Sequence, residues 1–330
     1  MRKQFARTTH EILNINEQAI VLLGDIGVFG FMEAMRDHPD RVLNIGILEQ
    51  STISLAAGLS IEGMIPIVHT IAPFMVERAL EQIKIDFAYQ RLRGNLVSVG
   101  GSLDYAALGG THHCPGDVSI LLSVPNIEIV IPGTASEFRQ LFMSEYNNAS
   151  VTYYRLSESE NSVSHDVKLG QATIVRSGNQ ATVICIGPTL DMTLKAVENF
   201  DVSVIYMTSI RPFDHTSVRQ ASQSGRVLIV EPFYEGTLTY EVMTALSGIP
   251  SMVSSVGIPR SFRSEYGTRE EHYAAINFSS NVSRSTINTT THTAFTETEF
   301  ACYNTGTTMS FTLYKHDGSV LHQIDNIIIN

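Results

Sequence analysis

A chain of 330 residues with 43% hydrophobic side chains is long enough for two ordinary domains with real cores, which excludes a disordered or fibrous protein. A net charge of −11, without a cluster of Lys and Arg, argues against a polyphosphate partner, so nucleic acid is not expected. Three widely spaced cysteines, Cys114, Cys185 and Cys302, have no metal-ligand spacing and fit a reducing compartment rather than a zinc site.

The opening Met1–His10 lacks the apolar core of a secretion signal, and no run reaches the length of a membrane span, so a cytoplasmic location is expected. The Asn-x-Ser/Thr triplets at Asn277, Asn281 and Asn288 read as chance in a Ser/Thr-rich region. An amphipathic segment around Ala6–Ile15 precedes Ala19–Leu23, a buried parallel strand. Its carboxyl end turns through Gly24-Asp25-Ile26-Gly27, where α/β ligands sit. Arg41–Ile45 and Ile65–His69 are two more strands, and between them Glu49 opens a helix of small and apolar residues over Ser51–Leu59. A carboxylate drawn out of water there needs a partner or a proton.

Phe74–Gln90 carries Met75, Leu80, Ile83 and Phe87 against a polar face of Glu77, Arg78, Glu81 and Lys84, a spacing that predicts one helix. On it Arg78 has Glu77 or Glu81 as its ordinary ion-pair partner. Asn95–Val99 is a strand, and the glycine-rich loop Gly100–Gly116 that follows can approach a ligand closely and carries Thr111-His112-His113. Ile127–Ile131, a helix over Ser136–Tyr146 and Val151–Leu156 complete an α/β domain over residues 1–157. Residues 158–168 are polar, without apolar periodicity, and read as a linker.

A second α/β domain over residues 169–287 alternates the strand-like runs Ala181–Ile186, Val202–Tyr206, Arg226–Val230 and Met252–Val256 with helical stretches over Leu190–Phe200 and Thr237–Leu246. Each domain is expected to hold a mostly parallel sheet. Residues 288–330 form a β-rich tail, with strands Met309–Tyr314 and Val320–Ile329 around Lys315–Ser319, read as an edge extension or assembly contact.

Gly46-Ile-Leu-Glu-Gln50, Ala56-Ala-Gly58, Phe74 with Glu77-Arg78, Glu81-Gln82-Ile83 and Gly110-Thr-His-His113 follow one another in an order that resembles the pyrimidine-binding domain of the transketolase family. The second domain is similar to the transketolase C-terminal domain, and the resemblance runs to about Thr286. It implies a thiamine-diphosphate enzyme in which Glu49 hydrogen-bonds N1′ of the aminopyrimidine. Proton sharing there favours the N4′ imino form, which takes the proton from C2 of the thiazolium. The same resemblance implies that Phe74 packs on the pyrimidine and that His112 donates to oxygens near the reacting carbon. It places Asp25 and Arg78 near the cofactor and His69 and His113 near the substrate. Without it, Glu49 reads equally well as an exposed helix-start acid, and Phe74 as a core ring.

The family holds Mg²⁺ and the diphosphate with a Gly-Asp-Gly turn and a distant Asn pair. The near imitation here, Gly116-Asp117 with Asn147-Asn148, has Val118 in place of the glycine and lies on the wrong side of the cofactor. Asp117 is expected to cap or orient the loop carrying His112. The resemblance therefore implies the smaller subunit of a split transketolase, with the diphosphate and Mg²⁺ held by a partner subunit, two copies of each forming α2β2. The phosphate contacts expected near Phe29 and Glu158 are replaced, and Arg155 is shifted by a register that points it to the other face. The expected reaction is transfer of a two-carbon ketol unit from a ketose to an aldehyde. The alternatives are a pyruvate-using enzyme of the deoxyxylulose-phosphate synthase type or of the 2-oxo-acid dehydrogenase type, and a non-catalytic assembly or regulatory subunit. A nicotinamide dehydrogenase is disfavoured, because no Gly-x-Gly-x-x-Gly follows a first strand. The second domain, with Arg211–Asp214 and Glu231, is expected to serve subunit association.

Overall fold

The computed structural model describes residues 1–276, Phe278 and the backbone of three strands beyond residue 299. The chain opens with α1 (Arg2–Ile15), β1 (Ala19–Leu23), α2 (Met32–Asp37), β2 (Val42–Asn44), α3 (Glu49–Ile61), β3 (Ile65–Ile71) and the short α4 (Leu80–Gln82). β4 (Gly94–Val99), α5 (Asp117–Leu122), β5 (Ile127–Val130), α6 (Ala135–Glu145) and β6 (Val151–Arg155) follow. Next come β7 (Thr173–Arg176), β8 (Ala181–Ile186), α7 (Leu190–Ala196), β9 (Val202–Met207), β10 (Ser209–Arg211) and α8 (His215–Ala221). β11 (Arg226–Tyr234), α9 (Thr239–Ala245), β12 (Met252–Ile258) and α10 (Arg269–Ala275) close this part.

The first sheet has the order β10-β5-β6-β4-β3-β1-β2 and is parallel except at β10, and the second has the order β12-β11-β8-β9-β7 with β7 antiparallel at its edge. This is mixed α/β with two mostly parallel sheets. Parallel strands are covered on both faces, which is why β1, β3, β4 and β8 are buried along their whole length. Alternate residues serve two cores: Val21 and Val97 join Phe5, Phe138, Phe142 and Leu141 under α1 and α6, whereas Leu22 and Leu96 join Ile53, Met75, Ile83 and Phe87 under α3.

Three features depart from the expected outline. The helix predicted over Phe74–Gln90 is divided: Pro73–Glu77 and Ile83–Tyr89 are π-helical turns on either side of α4. The bond from Arg78 N to Pro73 O, 3.2 Å, spans five residues and widens the turn, so side chains here do not meet at α-helical spacing. The second departure is β10, which lies beyond the polar segment yet pairs antiparallel with β5, while Arg211 donates to the carbonyls of Val124 at 2.6 Å and Leu122 at 2.7 Å.

The third concerns residues 158–168, which have no regular element, as their composition implies, but are tied to helices packed on both sheets. Ser162 N bonds Asp191 Oδ2 at 2.7 Å and His165 N bonds the buried Glu137 at 2.9 Å. In the tail, β13 (Phe300–Asn304), β14 (Thr308–Tyr314) and β15 (Val320–Ile328) make an antiparallel three-stranded sheet in that order, one strand more than foreseen. The turn at 315–319 and the triplets at Asn277, Asn281 and Asn288 lie outside the described residues.

Candidate functional site

The carboxyl ends of β1, β2, β3 and β4 open onto the turn at Gly24–Gly27, the start of α3, the π turn at Pro73 and the loop from Gly100. Sheet topology thus gathers at one edge the segments that carry the candidate residues. Glu49 is the first residue of α3 and is 3% exposed, in the turn whose unpaired N–H groups favour a carboxylate. Its Oε2 accepts from Arg78 Nη1 at 2.8 Å, and its Oε1 is buried without a hydrogen-bond partner among the described residues. A small cavity beside it is lined by Gly24, Thr52, His69, Thr70 and Met75.

The Arg78 guanidinium lies 4.2 Å from the centre of the Phe74 ring, and that ring meets His112 edge-on at 5.3 Å. Glu49, Arg78, Phe74 and His112 therefore form one connected chain of contacts. Arg78 pairs with neither Glu77 nor Glu81, contrary to the expectation from α-helical spacing, because the π turn aims it across at α3. Thr111 Oγ1 lies 3.0 Å from His112 Nδ1 and orients that ring.

The histidine loop is held from behind by a buried ion pair. Arg155 Nε meets Asp117 Oδ2 at 2.6 Å, with the side chains 1% and 0% exposed, and the Tyr153 hydroxyl donates to the same oxygen at 2.8 Å. Burial opposes the Arg155 charge, but Asp117 outweighs it and Arg155 stays above arginine's usual pKa. Arg155 Nη2 also reaches Ser102 Oγ at 2.9 Å and the Cys114 carbonyl at 3.3 Å, the two residues whose backbones bridge at the base of the loop. Asp117 is thus taken up in orienting the loop, and Arg155 is not free for a substrate anion. Asn147 and Asn148 are also engaged elsewhere, with Arg93 and Glu128.

His69 is fully buried, and burial pushes its pKa down to about 4, so it is neutral near pH 7. Its Nδ1 donates to Val97 O at 2.8 Å, which leaves Nε2 as an acceptor facing the Gly27 turn. Asp25, at φ +57°, exchanges two 3.0 Å hydrogen bonds with Asn44 and does not join the Glu49 group. It lines a separate cavity of about 590 Å³ with Arg2, Lys3, Gly27, Val28 and Phe29. A neighbouring cavity of about 410 Å³ is lined by Arg2, Lys3, Arg7, Tyr105, Ser157 and Glu158, among others.

The basic group at Arg2, Lys3 and Arg7 was not singled out from the sequence, although Lys3 and Arg7 at i and i+4 share a helix face in an acidic chain. His113 is half-buried, with Nε2 3.4 Å from Ala106 O, and burial lowers its pKa. Of metal-ligand types, His10, Glu33 and Asp37 come together between α1 and α2, but Arg36 pairs with both carboxylates.

Two mostly parallel α/β sheets, with a buried glutamate, an aromatic ring and a Thr-His loop gathered at strand carboxyl ends, are the build of a ligand-binding α/β module. Residues 1–162 match the transketolase pyrimidine-binding domain and residues 170–282 match the transketolase C-terminal domain. The chain belongs to the transketolase family. It is 37% identical to an uncharacterised 33.6 kDa protein in the fasciation locus of Rhodococcoides fascians, over 81% of this chain and 87% of that protein. It is 30% identical to one subunit of the apulose-4-phosphate transketolase of Phocaeicola vulgatus, over 78% of this chain and 87% of that subunit.

The 1-deoxy-D-xylulose-5-phosphate synthase of Aromatoleum aromaticum is 29% identical over 71% of this chain, which covers 39% of that enzyme. In fold, the chain superposes on a split-gene transketolase solved as an inactive β4 tetramer, with a TM-score of 0.77 at 23% identity, over 88% of this chain and 97% of that one.

Proposed function

We propose that this chain is the pyrimidine-binding subunit of a thiamine-diphosphate-dependent transketolase, transferring a two-carbon ketol unit from a ketose to an aldehyde once joined to a partner subunit. The observation that carries the reading is Glu49, a buried carboxylate with one oxygen held by Arg78 and the other without a partner, beside Phe74 and His112. An orphaned buried oxygen beside a half-buried aromatic ring fits the aminopyrimidine end of the cofactor, whose N1′ shares a proton and whose face is apolar. When bound, thiamine diphosphate supplies the electron sink that allows a carbon–carbon bond beside a carbonyl to break and re-form.

The chain's own residues have separate tasks in this reading. Glu49 Oε1 holds a proton at N1′, and Arg78 fixes the carboxylate rotamer while lying on Phe74. Phe74 supports the pyrimidine, and His112, oriented by Thr111, donates to oxygen at the reacting carbon. His69 and His113 border the substrate, and Asp25 stands at the sugar side. Residues 1–157 carry the chemistry, 158–168 connect, and 169–287 together with the tail serve assembly.

A partner is supported by Ile47 and Leu48, 64% and 56% exposed, immediately before Glu49, an apolar rim in want of cover. That partner would hold Mg²⁺ and the diphosphate in an α2β2 assembly, and the cytoplasm is the proposed location. No helix among the described residues is long and apolar enough to cross a membrane.

A phosphorylated sugar is supported by Arg2, Lys3 and Arg7 around the cavities beside Asp25 and Glu158, which supply cations where the sequence lacks the expected phosphate contacts. With partner, cofactor and Mg²⁺ present, ketose donors should react without CO₂ release. Arg2→Ala should raise KM for a phosphorylated ketose about 10- to 100-fold and leave an unphosphorylated one unchanged, the effect of losing a charge-assisted hydrogen bond. The synthase relative favours pyruvate as a second reading, and CO₂ release from pyruvate with no turnover of ketoses would establish it instead.

A further inference from the structure

The second domain does more at the site than the association role expected of it. Residues between β12 and α10 cross the glycine-rich loop. Gly109, at φ +79°, lies so close to the Tyr266 ring that a Cβ would come within 2.7 Å, and the Arg263 carbonyl lies over Gly110. Arg269 pairs with the buried Asp104 of the loop at 3.4 Å, and Leu103, Ala106 and Ile258 form a small apolar cluster beneath it. From α10 the His272 ring projects onto His113, centroid to centroid 5.3 Å at 76°.

His272 is 3% exposed, and neither ring nitrogen has a hydrogen-bond partner among the described residues. A buried donor or acceptor left unpaired is costly, a cost that leucine at the same place would not carry. The spacing of the two rings indicates what the imidazole is for. A hydrogen bond of about 2.9 Å between two imidazole nitrogens, each about 1.1 Å from its ring centre, sets the centroids about 5 Å apart. The observed 5.3 Å is close to that value, so the bond requires the His272 ring to turn about its own side-chain bond while His113 keeps its contact with Ala106.

We propose that His272 is a positioning residue for His113: its ring N–H donates to His113 Nδ1 and holds His113 in the form protonated on Nε2. The inference rests on the reading that the Thr-His-His loop borders the substrate. A carbonyl can only accept, so the 3.4 Å contact from His113 Nε2 to Ala106 O already places the proton on Nε2 and leaves Nδ1 as the acceptor. Burial lowers the His113 pKa against the opposing hydrogen bond to Ala106, and His272, His112 and Arg263 act in the same direction as burial. Arg263 pairs with Glu265, Arg269 with Asp104 and Glu270, and Glu271 caps α10 through Thr268. Through this bond the second domain sets which nitrogen of His113 can donate and which can accept.

Long-range ¹H–¹⁵N spectra of the full-length chain with labelled histidine test this without partner or cofactor, so the outcome is separate from whether the protein turns over ketoses. His113 is assigned by the peaks lost in His113→Asn. The wild type should show the Nε2–H form. His272→Leu should shift the tautomer ratio about threefold to tenfold toward Nδ1–H, the worth of one hydrogen bond, whereas His272→Gln, which keeps an N–H donor, should hold it. An unchanged ratio in His272→Leu overturns the proposal, whatever happens to the melting temperature. So does a wild-type His113 protonated on Nδ1, a result that needs no variant to fold.

Discussion

Glu49→Gln should abolish nearly all turnover of the reconstituted enzyme, by about 10²- to 10⁴-fold in kcat, while leaving assembly with the partner intact. The amide has the shape of the acid and can still accept from Arg78, so the buried start of α3 keeps its packing. It cannot hold the proton that, in the proposed reading, the partnerless oxygen shares with the cofactor. Arg78, 40% exposed, remains reachable by water when its anion is removed, so the stability cost should be small. Initial rates and sedimentation of the mixed subunits separate the two quantities. Unchanged turnover from an intact complex would make this a non-catalytic subunit that keeps the fold for assembly.

The second large effect is on stability. Asp117→Asn or Arg155→Met should each cost about 3–5 kcal/mol, because each leaves one charge or a set of donors buried without its partner. The double variant Asp117→Asn/Arg155→Met should lose less than the sum, since no uncompensated charge remains. Denaturant unfolding with both single variants and the double measures this directly. Losses below about 1 kcal/mol in the single variants would mean that water reaches the pair. In the variants that fold, the loop joined through Ser102 and Cys114 loses its anchor, and kcat/KM should fall further than kcat as His112 is held less well.

The sequence carried much of this architecture and less of the site's wiring. Strands such as Ala19–Leu23 and Ala181–Ile186 are legible because burial on both faces demands continuous apolar runs. The motif around Glu49 is legible because an acid among small and apolar residues calls for a partner. That partner, Arg78, was not legible, since spacing rules assume an α-helix and the π turn at Pro73–Glu77 rotates Arg78 away from Glu77 and Glu81.

β10 could not be assigned to the first sheet from local pattern, because three residues carry no information about which edge they join. Arg155 looked like a displaced phosphate ligand until its strand neighbours, Tyr153 and the distant Asp117, enclosed it. His272 stands in Arg-Glu-Glu-His-Tyr, where its charged neighbours give no sign of burial, and only the fold turns that position inward onto His113. In each case the missing information is long-range: a side chain's role depends on an element dozens of residues away.

Reconstitution decides whether this chain supplies half of an active site. The purified chain, with thiamine diphosphate and Mg²⁺, is assayed for ketol transfer alone and after addition of a subunit that carries the Gly-Asp-Gly turn and its Asn pair. No turnover is expected from the chain alone, and turnover should rise with added partner to a fixed stoichiometry. Substantial turnover by the single chain, or none at any ratio with a partner that binds it, would contradict the assignment.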